Sequence, residues 1–213
     1  MALTLLPGTA GAAETSEKEY PIGQIQVKDG YDTVHLHYVE NEAGGITITG
    51  VSYRSGGAVA AGVVPGSLDL TIPDVIDGKP VTAIDGWAFK DAFWALNVLK
   101  LPDTVTSIGT EAFDQCFISG IVLSRDLVSI EPGAFGVNKY LKFEISAENK
   151  NFSVVDGVLY DGNKSKLICY PAKKADSIYT IPDGVTAIEV CAFTECDNLS
   201  ELNVPASVST IGD

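Results

Sequence analysis

The chain is poor in histidine, with two in 213 residues, His35 and His37. Chemistry that needs an imidazole must run through that one pair, which leaves little room for a serine or cysteine triad. Walker A, G-x-G-x-x-G and G-x-S-x-G are all absent, so neither a phosphate-cradling loop nor a nucleophile elbow is present. Basic residues are also scarce, 14 against 28 acidic ones. The net charge of −14 repels phosphate backbones and anionic membrane surfaces, which argues against nucleic acid as a partner. No run of apolar residues reaches the eighteen or so that a membrane span needs. The four cysteines, Cys116, Cys169, Cys191 and Cys196, form no C-x-x-C pair, and both histidines lie far from them in sequence, so a zinc site has little to be built from. What the chain does have is apolar residues, at 46%, enough for a core.

The first residues, MALTLLPGTAGAAE, hold a short apolar run and then Ala10-Gly11-Ala12, which fits an A-x-A cleavage site. Residues 1–13 are read as the remnant of a secretory signal.

A repeat organises the rest. Val81-Thr-Ala-Ile84 leads to Ala88-Phe89, and the pattern returns as Ile108 with Ala112-Phe113, Ile130 with Ala134-Phe135, and Ile188 with Ala192-Phe193. A last copy, ending Ile211-Gly212-Asp213, stops before its Ala-Phe. The phenylalanines are 24, 22 and then 58 residues apart, and periods of 20–29 residues belong to solenoids. Ile84, Phe89, Ile108, Phe113, Ile130, Phe135, Ile188 and Phe193 are therefore expected to form the core, with the four rings lying one above another. Ahead of each copy runs an alternating triplet, such as Leu70-x-Ile72-Pro73 and Leu99-x-Leu101-Pro102. Period two means a short strand with its outer residues buried and its middle residue exposed, one per repeat and stacked in parallel. One repeat cannot bury enough apolar surface to fold alone, so the copies must stack. The position three after each phenylalanine holds Ala92, Cys116, Asn138 and Cys196. Alanine there is incompatible with a disulfide or a metal, so a small buried turn position and free thiols are expected.

The 58-residue step holds an insertion at about 149–177. Val154-Val155-Asp156-Gly157-Val158-Leu159 signals a tight hairpin, and Leu167-Ile168-Cys169-Tyr170 supplies a further strand. Residues 14–68 carry no copy of the repeat but alternate in DTVHLHYV and GITITGVSY, which is read as a β-rich cap over the first layer.

These residues together resemble the BspA-type, or Treponema-type, leucine-rich repeat. AFDQC and AFTECDNLSELNVPASVSTIG follow its unit, LTIPDVIDGKPVTAI resembles its opening repeat, and NFSVVDGVLYDGNKSKLICYP its interrupting hairpin. The resemblance covers residues 69–213. It implies a leucine-rich-repeat solenoid on a bacterial surface or secreted from the cell, linked to adhesion and to binding host proteins, with no catalytic residues to carry over and no cofactor. The array is short and stops mid-repeat, so a longer protein is expected to have been cut.

Two weaker signals are set aside. His35-x-His37 places two imidazoles on one face of a strand, but no third metal ligand stands nearby. Asp161-x-Asn163-x-Ser165 begins like a calcium loop, yet Lys166 stands where glycine is needed and Ala172 where a bidentate glutamate belongs. The expected binding face is the outward residue of each triplet: Thr71, Lys100, Val122, Glu144, Thr180 and Asn203. On this basis the chain is a monomeric, non-catalytic module that binds a protein, such as a host matrix or surface protein, or a surface glycan. The alternative is a passive spacer for an enzyme or anchor outside this sequence.

Overall fold

The alternating triplets form strands that stack in chain order: Leu68–Thr71, Leu96–Lys100, Ile118–Val122 and Lys142–Glu144. All pair in parallel, with Leu70 beside Leu99, Leu99 beside Ile121, and Ile121 beside Phe143. In this computed structural model the described residues are 16–27, 30–54, 68–92, 96–138 and 141–212. The signal reading of residues 1–13 falls outside them.

The first three windings also carry a second strand at their Thr-x-Ile or Ser-Ile segment. Lys79–Ile84, Ser107–Ile108 and Ser129–Ile130 pair in parallel, bringing Ile84, Ile108 and Ile130 into one line. Between the two strands the chain turns a tight corner at the Ala-Phe step. The residue two before the ring is left-handed in each case, at Trp87, Glu111, Gly133 and Cys191, with φ of 59°, 50°, 67° and 57°. Successive windings approach closely, so that a Cβ on Gly109 would lie 2.4 Å from Gly86 N. The rings stack inside: Phe89 and Phe113 have centroids 5.2 Å apart, and Phe113 and Phe135 are 5.8 Å apart.

The single column of four rings expected from the sequence ends at Phe135. Phe135 meets Phe143 edge-on at 4.9 Å, while Phe193 lies in a second core and stacks on Tyr170 at 5.3 Å. The cause is the inserted segment, an antiparallel meander of Phe152–Val155, Val158–Asp161 and Lys166–Cys169. Its hairpin turns through Asp156 and Gly157, both left-handed. Successive residues of a strand face opposite ways. Here Leu159 and Ile168 join the first core while Val158, Tyr160, Leu167 and Tyr170 join the second, so the meander is a wall buried on both sides. Beyond it Lys166–Cys169 pairs in parallel with Ala187–Ile188, which pairs with Thr210–Ile211. Ile178–Thr180 pairs with Glu201–Asn203 in a separate two-stranded sheet.

At the other end Lys18–Val27, Gly30–Glu40 and Ile46–Arg54 are antiparallel neighbours, and Ile46–Arg54 runs parallel to Lys79–Ile84. Val34, Leu36, Tyr38, Ile46 and Ile48 are buried in the first core. No helix among the described residues is long and apolar enough to cross a membrane.

Candidate functional site

In the four-stranded sheet the middle residue of each triplet points outward between buried or half-buried neighbours, whereas Leu202 and Val204, on either side of Asn203, are themselves exposed. Thr71, Lys100, Val122 and Glu144 stand side by side across the four-stranded sheet. Thr180 and Asn203 are neighbours on the two-stranded sheet, where Asn203 Nδ2 donates to Thr180 Oγ1 at 3.4 Å. The six outward residues thus form a row of four and a pair, not one continuous row, because the meander occupies the windings between Glu144 and Thr180.

The row of four borders a groove that side-chain periodicity does not announce. Gly120 sits mid-strand between Val98 and Lys142 and has no side chain to fill the surface. A groove of about 440 Å³ opens over it, bounded by Asn97, Val98, Val122, Lys142 and Glu144 and reached by Lys173. A second cleft of about 420 Å³ continues beyond the strand Lys142–Glu144, closed on its far side by Gly157, Pro171, Lys173 and Lys174. Lys142, Glu144 and Lys173 line both. The sequence signal for the groove is the lone glycine in ISGIV, since glycine inside a strand marks an open or closely approached position. Nothing local signals Lys173, which the meander returns to the site from the far side of the insertion.

The lysines differ in their ties. Lys174 Nζ lies 2.8 Å from Asp156 Oδ2 and also bonds Asp176. Burial pulls its pKa down, but the two carboxylates outweigh that and hold the ammonium well above its ordinary value. Lys173 reaches Asp197 at 3.2 Å. Lys142 and Lys100 form no ion pair among the described residues and are exposed.

The remaining motifs are engaged locally. His37 Nε2 lies 2.7 Å from Ser52 Oγ, and its Nδ1 is 3.6 Å from Glu17. His35 Nδ1 is 3.9 Å from Glu19. Among the described residues no group of three or more histidine, cysteine or acidic side chains is placed to hold a metal ion. The Asp161 carboxylate accepts from Ser165 Oγ at 2.8 Å and Lys166 N at 2.9 Å, which makes it a turn cap. The four thiols are free, and that of Cys116 donates to the Phe89 carbonyl.

The signature described as a BspA type leucine rich repeat region matches residues 70–167 and 168–213, in six copies. The chain belongs to the BspA-type leucine-rich repeat family. Among solved structures, the pneumococcal vaccine antigen PcpA is similar at 18% identity and a TM-score of 0.52, over 89% of this chain and 66% of that one. A leucine-rich repeat protein from Eubacterium ventriosum is 20% identical with a TM-score of 0.47, over 93% of this chain and 62% of its own. The T. pallidum leucine-rich repeat protein is 20% identical with a TM-score of 0.39, over 83% of each chain. The BspA-type chain thus spans about two thirds of the length of the first two. No curated protein sequence matches it.

Proposed function

We propose that this protein is a non-catalytic recognition module that binds another protein through the outward face of its four-stranded row, as a monomer, secreted or at the cell surface. The groove over Gly120 is the observation that carries this. It joins Val98 and Val122, which offer apolar contact, to Lys142 and Glu144, which offer charge of both signs, on a sheet of fixed register. Solenoids use extended faces of this kind for macromolecules. The location rests on the family and on the antigen of similar fold. In this reading residues 14–68 cover the first layer, residues 69–213 carry the repeats, and the insertion at about 149–177 brings Lys173 to the face.

The test is binding of the purified chain to a panel of extracellular-matrix proteins, compared with Val122→Glu, Lys142→Glu and the remote surface change Lys164→Glu. The first two should weaken binding at least about tenfold, as expected for a central contact, while the third leaves it unchanged. Binding insensitive to the groove changes would overturn the reading. Absence of binding across the panel would favour the passive spacer.

A further inference from the structure

The row of triplet strands breaks off at Lys142–Glu144, which has Ile118–Val122 on one side and, among the described residues, no strand on the other. The next triplet strand, Ile178–Thr180, pairs with Glu201–Asn203 instead. An edge strand presents backbone donors and acceptors that another chain can complete. Glu144 O accepts from Leu123 N at 2.8 Å, so the backbone groups of Glu144 turn toward the sheet. Successive residues alternate, and Phe143 therefore turns its N–H and C=O the other way, into the cleft beyond. They meet no backbone partner among the described residues.

The cleft has the form of a strand's place. Its near wall is the three-residue strand, and its far wall is the hairpin tip and the segment after Pro171. Lys174 Nζ ties these two parts of the far wall together through Asp156 at 2.8 Å. Three extended residues span roughly 10 Å, the length of the exposed edge. The chemistry of the walls is directional. The Phe143 side chain is buried against Phe135, so a residue opposite it turns inward to apolar surroundings. Lys142 is exposed and without an ion pair among the described residues, and Lys173 stands near it. In a chain with twice as many acids as bases, three of the fourteen basic residues line this one cleft, against the two acids Glu144 and Asp156.

We propose that this edge takes up an extended segment of the partner protein as an added β-strand, with its backbone bonded to Phe143, an apolar side chain turned inward and an acidic one outward beside Lys142. The inference rests on the protein-recognition reading above and names the chemistry of the segment recognised. Main-chain bonds supply the affinity in such additions, and alternate side chains supply the selection.

The experiment is an NMR titration of the whole chain with the peptide Ac-Val-Glu-Val-Thr-Val-NH2 and with the same peptide N-methylated at its central valine. The parent peptide should shift the amides of Lys142–Ile145 and Gly157 and slow exchange of the Phe143 amide. N-methylation should weaken binding about tenfold through loss of a backbone hydrogen bond, and Lys142→Glu should weaken the parent peptide several-fold. No binding by the parent peptide overturns the proposal. So does equal binding of the methylated peptide, or shifts confined to the groove over Gly120. If matrix-protein capture remains sensitive to Val122→Glu while the peptide result is negative, strand addition falls and the recognition reading stands. If capture is insensitive as well, both fall.

Discussion

Tyr170 stacks over Phe193 with ring centroids 5.3 Å apart and planes at 29°, and its N–H donates to Ala192 O at 2.8 Å. Phe89 stands in the same relation to Ala112, and Phe113 to Ala134, each bond again 2.8 Å. Tyr170 therefore fills the ring position of a winding whose Ala-Phe signature is missing. The solenoid continues through the meander, although the core is divided by it.

The ring column should dominate stability. Phe113 is fully buried between Phe89 and Phe135, so Phe113→Ala is expected to cost about 3–5 kcal/mol. Phe193 is only half-buried, and Phe193→Ala should cost clearly less. Chemical denaturation midpoints of the two variants measure the difference; equal losses would contradict the two-core arrangement.

The repeat was legible because Ile and Phe recur at fixed spacing and the triplets alternate. Ile84, Ile108 and Ile130 lie in one register, and Leu70, Leu99 and Ile121 in another. The division of the core was less legible. A strand buried on both faces, such as Val158–Asp161, has apolar residues on both sides and loses the period that would reveal its direction. Tyr170 was hidden because tyrosine replaces phenylalanine and cysteine replaces the alanine before it. Thr71, Lys100, Val122 and Glu144 share one row, but pairing between Lys142–Glu144 and its successor depends on the path of the insertion, which no local pattern encodes.

Asn149 locks the insertion to the preceding winding. Its buried Nδ2 donates to Arg125 O at 2.8 Å and Leu127 O at 3.0 Å, and its Oδ1 accepts from Asn151 N and Phe152 N, both at 2.8 Å. Asn149→Ala should cost at least about 1–3 kcal/mol, the penalty for one stranded buried polar group, and Asn149→Asp should not restore it because the donors are gone. Full recovery of the denaturation midpoint in Asn149→Asp would contradict this role.

Asp114 should set part of the acid limb of stability. Burial pushes its carboxyl up, but the Val137 N–H at 2.8 Å, the Lys90 ammonium at 3.0 Å and Gln115 outweigh burial and hold it below its ordinary value. A carboxyl depressed in the folded state stabilises the fold above the unfolded pKa, and that contribution is lost as pH falls through the folded value. Gly136 keeps the space, since a Cβ there would lie 2.1 Å from Asp114 Oδ1. Urea denaturation across the acidic range should show a shallower decline for Asp114→Asn than for the parent; an unchanged slope would contradict the assignment.

The thiols should separate by reactivity. Cys191 is exposed, whereas burial pushes Cys169 up to about 12 and Cys196 up to about 11. Titration with a thiol reagent at mildly alkaline pH should label Cys191 first, with Cys169 and Cys116 reacting only on unfolding. Labelling of Cys169 as fast as Cys191 in the folded protein would contradict the packing of the wall.

The most direct test of a solenoid that runs on through its insertion is residue-resolved hydrogen exchange at Phe89, Phe113 and Tyr170. The account predicts that all three amides are protected and that Tyr170, held by Ala192 O, exchanges far more slowly than an unstructured amide. Protection at Phe89 and Phe113 with free exchange at Tyr170 would contradict it, leaving a stack that ends at Phe135.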